Sequence, residues 1–110
     1  MAYIPNRGDI VWTDFDPQAG REQAGSRPAI ILSRHDFNYS SGLAVCCPIT
    51  GRQKGYPFEV PLPAGLEIYG VVLVDHIRSI DWRVRPVEFK ANAPESVLLD
   101  VMERLETLLT

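Results

Sequence analysis

Apolar and polar positions alternate along DIVWTDF (residues 9–15), with Ile10, Trp12 and Asp14 on one side and Val11, Thr13 and Phe15 on the other. A period of two predicts a β-strand. The next segment, DPQAGREQAGSRP (16–28), has no apolar period and reads as a long loop. Loops of that length inside a compact domain usually carry function or move. AIILS (29–33) predicts a buried strand, and SGLAVCCPIT (41–50) another, ending at Pro48. GRQKGYP (51–57) is a turn-rich connection. FEVPL (58–62) alternates, but Pro61 confines it to a short or edge strand. YGVVLVDHIRSID (69–81) is apolar enough for one or two strands with a bend near Asp75–His76, and VRPVEFK (84–90) is ambiguous.

The pattern changes at the end. In APESVLLDVMERLETLLT, Val97, Leu98, Val101, Leu105, Leu108 and Leu109 fall at helical spacing. Pro94 suits the first turn, and Glu95 suits the positive end of the helix dipole. The apolar stripe should pack on the sheet and leave Glu95, Asp100, Glu103 and Glu106 largely outside. The expected architecture is mainly β with α: a small, strongly bent sheet or open barrel with one C-terminal helix.

Composition narrows the classes. A chain of 110 residues, 45% apolar, suggests one domain with one modest core, residues 1–110. No apolar run approaches the roughly 20 residues of a membrane helix, and MAYIPNRGD lacks a signal-peptide stretch. Cys46 and Cys47 are neighbours that a strand would point to opposite faces, so a disulfide between them is disfavoured. Together these features point to a reduced, cytoplasmic protein with no membrane contact. There is no CxxC, and His35 and His76 are far apart in sequence, which argues against zinc. Of 14 acids and 11 cations, residues 94–110 hold four acids and one cation. The whole net charge of −3 therefore resides in the terminal segment, and the other residues balance. That distribution permits a polyanionic partner.

Candidate chemistry lies at strand ends and in loops. Arg27 precedes Pro28, which pushes its backbone toward extended geometry, and Gly25 and Ser26 before it add little bulk. A ligand could approach there, and a planar guanidinium suits bidentate contact with phosphate, although an exposed arginine at a strand start fits equally well. Thr50 closes its strand, either to donate to a phosphate oxygen or to cap the turn at Gly51. Glu22 in the long loop is a base, a specificity contact or a solvated acid. Asp75 interrupts an apolar run, and His76 beside it could serve acid–base chemistry if His35 joined it in space. Lys54 and Tyr56 combine a cation with an aromatic, as single-strand binders do.

Five segments in order carry more than any one of them: GDIVWTDFDP (8–17), EQAGSRPAIILS (22–33), CCPIT (46–50), KGYPFEV (54–60) and LVDHIRSIDWR (73–83). Together they closely resemble the MazF/PemK family of toxin–antitoxin endoribonucleases. The resemblance implies an SH3-like small β-barrel with a C-terminal helix, a homodimer, and cleavage of single-stranded RNA without metal or other cofactor. It implies a cognate antitoxin whose acidic, flexible C-terminal tail occupies the RNA groove. It assigns catalysis to Arg27 and Thr50, with Glu22 and Asp75 in supporting roles. Phe15, Gln23, Ser26, Lys54, Tyr56, His76 and Arg78 are the expected RNA contacts. His76 departs from the glutamine of a relative, and Arg52 and Gln53 sit in a variable turn, so the sequence read on RNA does not transfer. Two rivals share the barrel: a CcdB-like gyrase-binding toxin and a non-catalytic nucleic-acid-binding domain. Arg27 and Thr50 favour the ribonuclease, because a gyrase binder has no use for them.

Overall fold

The computed structural model describes residues 3–15 and 25–110. Along the chain run β1 (Asp9–Asp14), β2 (Ser26–Ile31), α1 (His35–Ser41), β3 (Leu43–Thr50), β4 (Glu59–Pro61) and β5 (Val71–Leu73). A 3₁₀ turn (Val74–His76), β6 (Arg78–Asp81), β7 (Val87–Asn92) and α2 (Glu95–Leu109) complete it. All pairings are antiparallel, in the order β4-β5-β3-β2-β1-β7, with β6 also paired to β3.

β3 joins the two halves of this sheet. One edge pairs with β2. The other pairs with β6 from Leu43 to Cys46 and then with β5 at Ile49 and Thr50. Of the two ends read from the sequence, Pro48 and Thr50, the strand takes the second and runs through Pro48. A proline is tolerated there because Pro48 sits where β3 changes partner, between its last residue paired with β6 and its first paired with β5. The bend expected near Asp75–His76 is the 3₁₀ turn that separates those two partners.

Both faces of the central strands are covered. The larger cluster gathers Ile10, Ile30, Cys47, Ile49 and Val72 with Val97, Val101 and Leu105 of α2. The smaller gathers Val11, Phe15, Ala29, Ile31, Ala44, Cys46 and Ile80. This is why the neighbours Ile10 and Val11 are both fully buried. Each α2 side chain sunk into the larger cluster stabilises the fold by about 1.5–3 kcal/mol. Glu95, Glu103 and Glu106 are exposed as the helical pattern predicted, and Asp100 is half-buried. Leu108 and Leu109, also in the predicted stripe, remain largely outside at 39% and 70% exposure. Cys46 and Cys47 are free, buried and on opposite faces. Among the described residues no helix is long and apolar enough to cross a membrane.

α1 has no apolar stripe and no sequence signal of its own. Tertiary hydrogen bonds hold it. The buried Asn38 amide donates to the Pro5 carbonyl at 2.8 Å and the Ser33 carbonyl at 3.1 Å. Its own carbonyl accepts from Trp82 Nε1 at 2.9 Å. β7, ambiguous in sequence, lies at one sheet edge beside β1, and β4 with Pro61 lies at the other.

Candidate active site

Arg27 is the second residue of β2 and is paired with Thr13 of β1. On its other edge β2 pairs with β3 at Ile31–Cys46, Ile30–Cys47 and Ala29–Pro48, and the ladder stops there. Continued for two residues, the same register would set Arg27 opposite Thr50. Instead Ile49 and Thr50 pair with β5. Arg27 and Thr50 thus flank the place where β2 and β3 part. Side-chain alternation puts Arg27 on the face of Ala29 and Ile31, and Thr50 on that of Cys46, which is the face of the smaller cluster.

Two further arginines reach this face. Arg78 is paired with Cys46, and its guanidinium carbon lies 5.4 Å from the centre of the Phe15 ring, a cation–π distance. Arg85 donates to the Asp14 carbonyl at 2.9 Å and so ties the turn before β7 to the end of β1. Burial pushes the Cys46 thiol up to about 12, and the charges of Arg78 and Arg85 act in the opposite direction. A neutral thiol at physiological pH follows, with guanidinium charge concentrated beside it.

Thr50 is 6% exposed, and its Oγ1 accepts the Arg52 N–H at 3.2 Å. The turn cap read from the sequence is therefore present. It occupies only the oxygen's acceptor capacity, and among the described residues the hydroxyl hydrogen has no acceptor. Gly70 packs directly on this residue. It holds φ at +126°, and a Cβ there would lie 2.3 Å from the Thr50 carbonyl oxygen. Only glycine allows that approach.

The remaining candidates divide. Ser26 is exposed at the start of β2, opposite Asp14. Lys54 and Tyr56 are exposed in the segment just after Thr50, with Lys54 Nζ 5.9 Å from the Tyr56 ring centre. Phe15, expected to contact RNA, is fully buried. Arg78 lies over its ring. Asp75 is exposed in the 3₁₀ turn, and its charge is among the influences that raise the Cys47 thiol, on the opposite face of β3 from Thr50. His76 is half-buried beside it. His35 opens α1, beyond the end of β2 remote from Arg27, with Nδ1 3.6 Å from Asp36. Glu22 and Gln23 lie outside the described residues. Among the described residues no three His, Cys, Asp or Glu side chains are gathered as a metal site requires.

Sequence reasoning missed Arg85 and Gly70. Arg85 follows Val84 in an ambiguous stretch, and only the fold brings it to Asp14. Gly70 had a signal, since a glycine opening the apolar run YGVVLV marks a close backbone approach.

The family model for the PemK-like, MazF-like toxin of type II toxin–antitoxin systems matches residues 6–109. The chain belongs to that toxin family. The endoribonuclease toxin MazF of Escherichia coli K12 is 49% identical over 98 residues, covering 88% of this chain and 87% of that one. The endoribonuclease PemK of Escherichia coli is 35% identical over 109 residues, covering 94% and 81%. Relatives of this reach make this family member an endoribonuclease. The crystal structure of MazF from Deinococcus radiodurans superposes with a TM-score of 0.95 at 54% identity, covering 98% of each chain. A MazE–MazF crystal structure from the same organism gives 0.89 at 54% identity, covering 98% and 97%. The bent sheet with its C-terminal helix is thus the MazF fold, as the five segments implied.

Proposed function

We propose that this toxin cuts single-stranded RNA with the substrate's own 2′-OH, leaving a 2′,3′-cyclic phosphate and a free 5′-OH. The observation that carries the reading is the placement of Arg27 and Thr50 on one sheet face, at the point where β2 and β3 part. A phosphate seated there meets a guanidinium from one strand and a hydroxyl from the other.

The chemistry needs alignment and charge stabilisation. The 2′ oxygen forms a bond to phosphorus as the bond from phosphorus to the 5′ oxygen breaks. The 2′ proton goes to a base, and the leaving oxygen takes a proton. Holding these atoms in line removes most of the entropic barrier, and fixed donors stabilise the charge gathering on the phosphate. Arg27 is assigned to that charge and to a hydrogen bond to the leaving oxygen, which takes its proton from water, and Thr50 to a non-bridging oxygen. A guanidinium stays protonated in proteins, which makes Arg27 unsuitable as the base. Glu22 or Asp75 takes the 2′ proton. The nucleophile is already in the substrate, so the reaction needs no metal or cofactor.

Bases read on their edges must be unstacked, which selects single strands, mRNA among them. Cleavage of mRNA in the cytoplasm stops translation and growth. The Deinococcus MazF, 54% identical, forms a MazE–MazF complex. By analogy this toxin has a cognate antitoxin, whose acidic flexible tail competes with RNA for the face of Arg27, Arg78 and Arg85. The toxin works as a homodimer with the groove crossing between protomers.

The test is incubation of a long single-stranded RNA with the purified protein in EDTA. Discrete fragments are expected, with a duplex of the same sequence left whole. Intact single strands, with binding to gyrase in their place, would overturn the reading.

A further inference from the structure

Residues 51–57 leave Thr50 without joining the sheet and stay exposed. The segment's ends are tied by the Arg52 N–H to Thr50 Oγ1 and by Arg104 to the Pro57 carbonyl, and its middle is anchored from within. Glu59, on the edge strand β4, is 7% exposed. Its carboxylate accepts the Lys54 N–H through both oxygens, at 3.1 and 3.2 Å, and the Gly55 N–H at 2.8 Å. Two successive backbone N–H groups turned onto one anion form a nest. The turn requires Gly55 in the left-handed region, at φ +81°. Among the described residues no cationic side chain forms an ion pair with Glu59. The buried charge is compensated by the loop backbone.

What the nest holds in place is Lys54 and Tyr56. Tyr56 is 60% exposed, with the Lys54 ammonium 5.9 Å from its ring centre. An exposed ring beside a cation suits a stacked base and its phosphate. Because the segment starts at Thr50, its geometry sets how far that base lies from the bond being cut.

We infer that Glu59 is a positioning residue for RNA sequence selection: its carboxylate fixes the 51–57 segment, so that the base on Tyr56 is read at a set distance from the cut. The inference rests on the RNA-cleaving reading above. Glu59 touches no reacting atom. Its loss should therefore weaken and blur recognition while the chemical step continues.

The experiment compares Glu59→Ala and Glu59→Gln with the parent on one long single-stranded RNA, mapping every cut. Glu59→Ala should raise KM on the order of tenfold, the effect of losing bonds to a charged acceptor, with kcat within about threefold. Its cuts should spread to sequences the parent ignores. Glu59→Gln, which keeps an acceptor oxygen, should fall between the two and covers the case in which the alanine variant fails to fold. In a Lys54→Ala, Tyr56→Ala background, Glu59→Gln should add nothing, since the effect passes through those side chains. A parent-like KM and cut map in both variants would overturn the inference. So would a fall in kcat with the cut map unchanged, which is the mark of a merely structural role. Binding of a DNA strand of the same sequence separates the two levels. If the parent cuts nothing but Glu59→Ala still binds that strand about tenfold more weakly, the catalytic reading fails and the positioning role stands.

Discussion

Arg27→Ala should fold like the parent and cleave RNA about 10²–10³-fold more slowly, the usual cost of removing one preorganised charge contact from a transition state. The loss should fall on kcat. In the proposed mechanism the guanidinium meets charge that builds only during reaction, whereas ground-state binding is shared with Arg78, Lys54 and Tyr56. The fold should survive because Arg27 lies at the start of β2, two residues before the fully buried Ala29. Arg27→Lys should recover only part of the rate, since an ammonium keeps the charge and loses the planar fork that meets two phosphate oxygens. Cleavage rates on a fluorogenic RNA, with thermal melting as the control for folding, check both variants. An alanine variant as fast as the parent would remove Arg27 from the site.

Replacing the 2′-OH on the 5′ side of the cut bond by hydrogen should abolish cleavage at that bond while leaving binding within a few-fold. The change touches only the nucleophile. Phosphate, bases and strand geometry persist, and with them the contacts proposed for Arg78, Lys54 and Tyr56. Synthetic oligonucleotides carrying a single deoxynucleotide, placed in turn at each position around a mapped cut, give the test. Cleavage should vanish for one position and continue for its neighbours. Cutting at the deoxy position would mean that water or a protein group attacks phosphorus directly.

β1 and α2 were legible because period is local information. Ile10 to Asp14 alternate within one strand, and Val97, Val101 and Leu105 repeat along one helix face. α1 was not legible, because Asn38 and its partners Pro5, Ser33 and Trp82 are brought together only by the folded chain. Thr50 was legible as the strand's close and Pro48 as an earlier end, and nothing in the sequence says that β3 exchanges β6 for β5 beside that proline. At the candidate site, Arg27 and Thr50 were singled out from Pro28, from the strand end and from resemblance. Their sharing of one face follows from register, which single segments do not reveal. Phe15, an expected RNA contact, packs in the smaller cluster with Arg78 over its ring, a burial its place at the end of an alternating strand did not reveal. Arg85 was missed because it does its work 71 residues from its hydrogen-bond partner, Asp14.

The central claim is that the oxygen attacking phosphorus belongs to the RNA. The most direct measurement is mass analysis of fragments made in EDTA and ¹⁸O-labelled water. The account predicts 5′-OH ends on one side of each cut and unlabelled 2′,3′-cyclic phosphates on the other. Open phosphates carrying ¹⁸O from the first turnover, with no cyclic precursor, or 5′-phosphate ends, would contradict it.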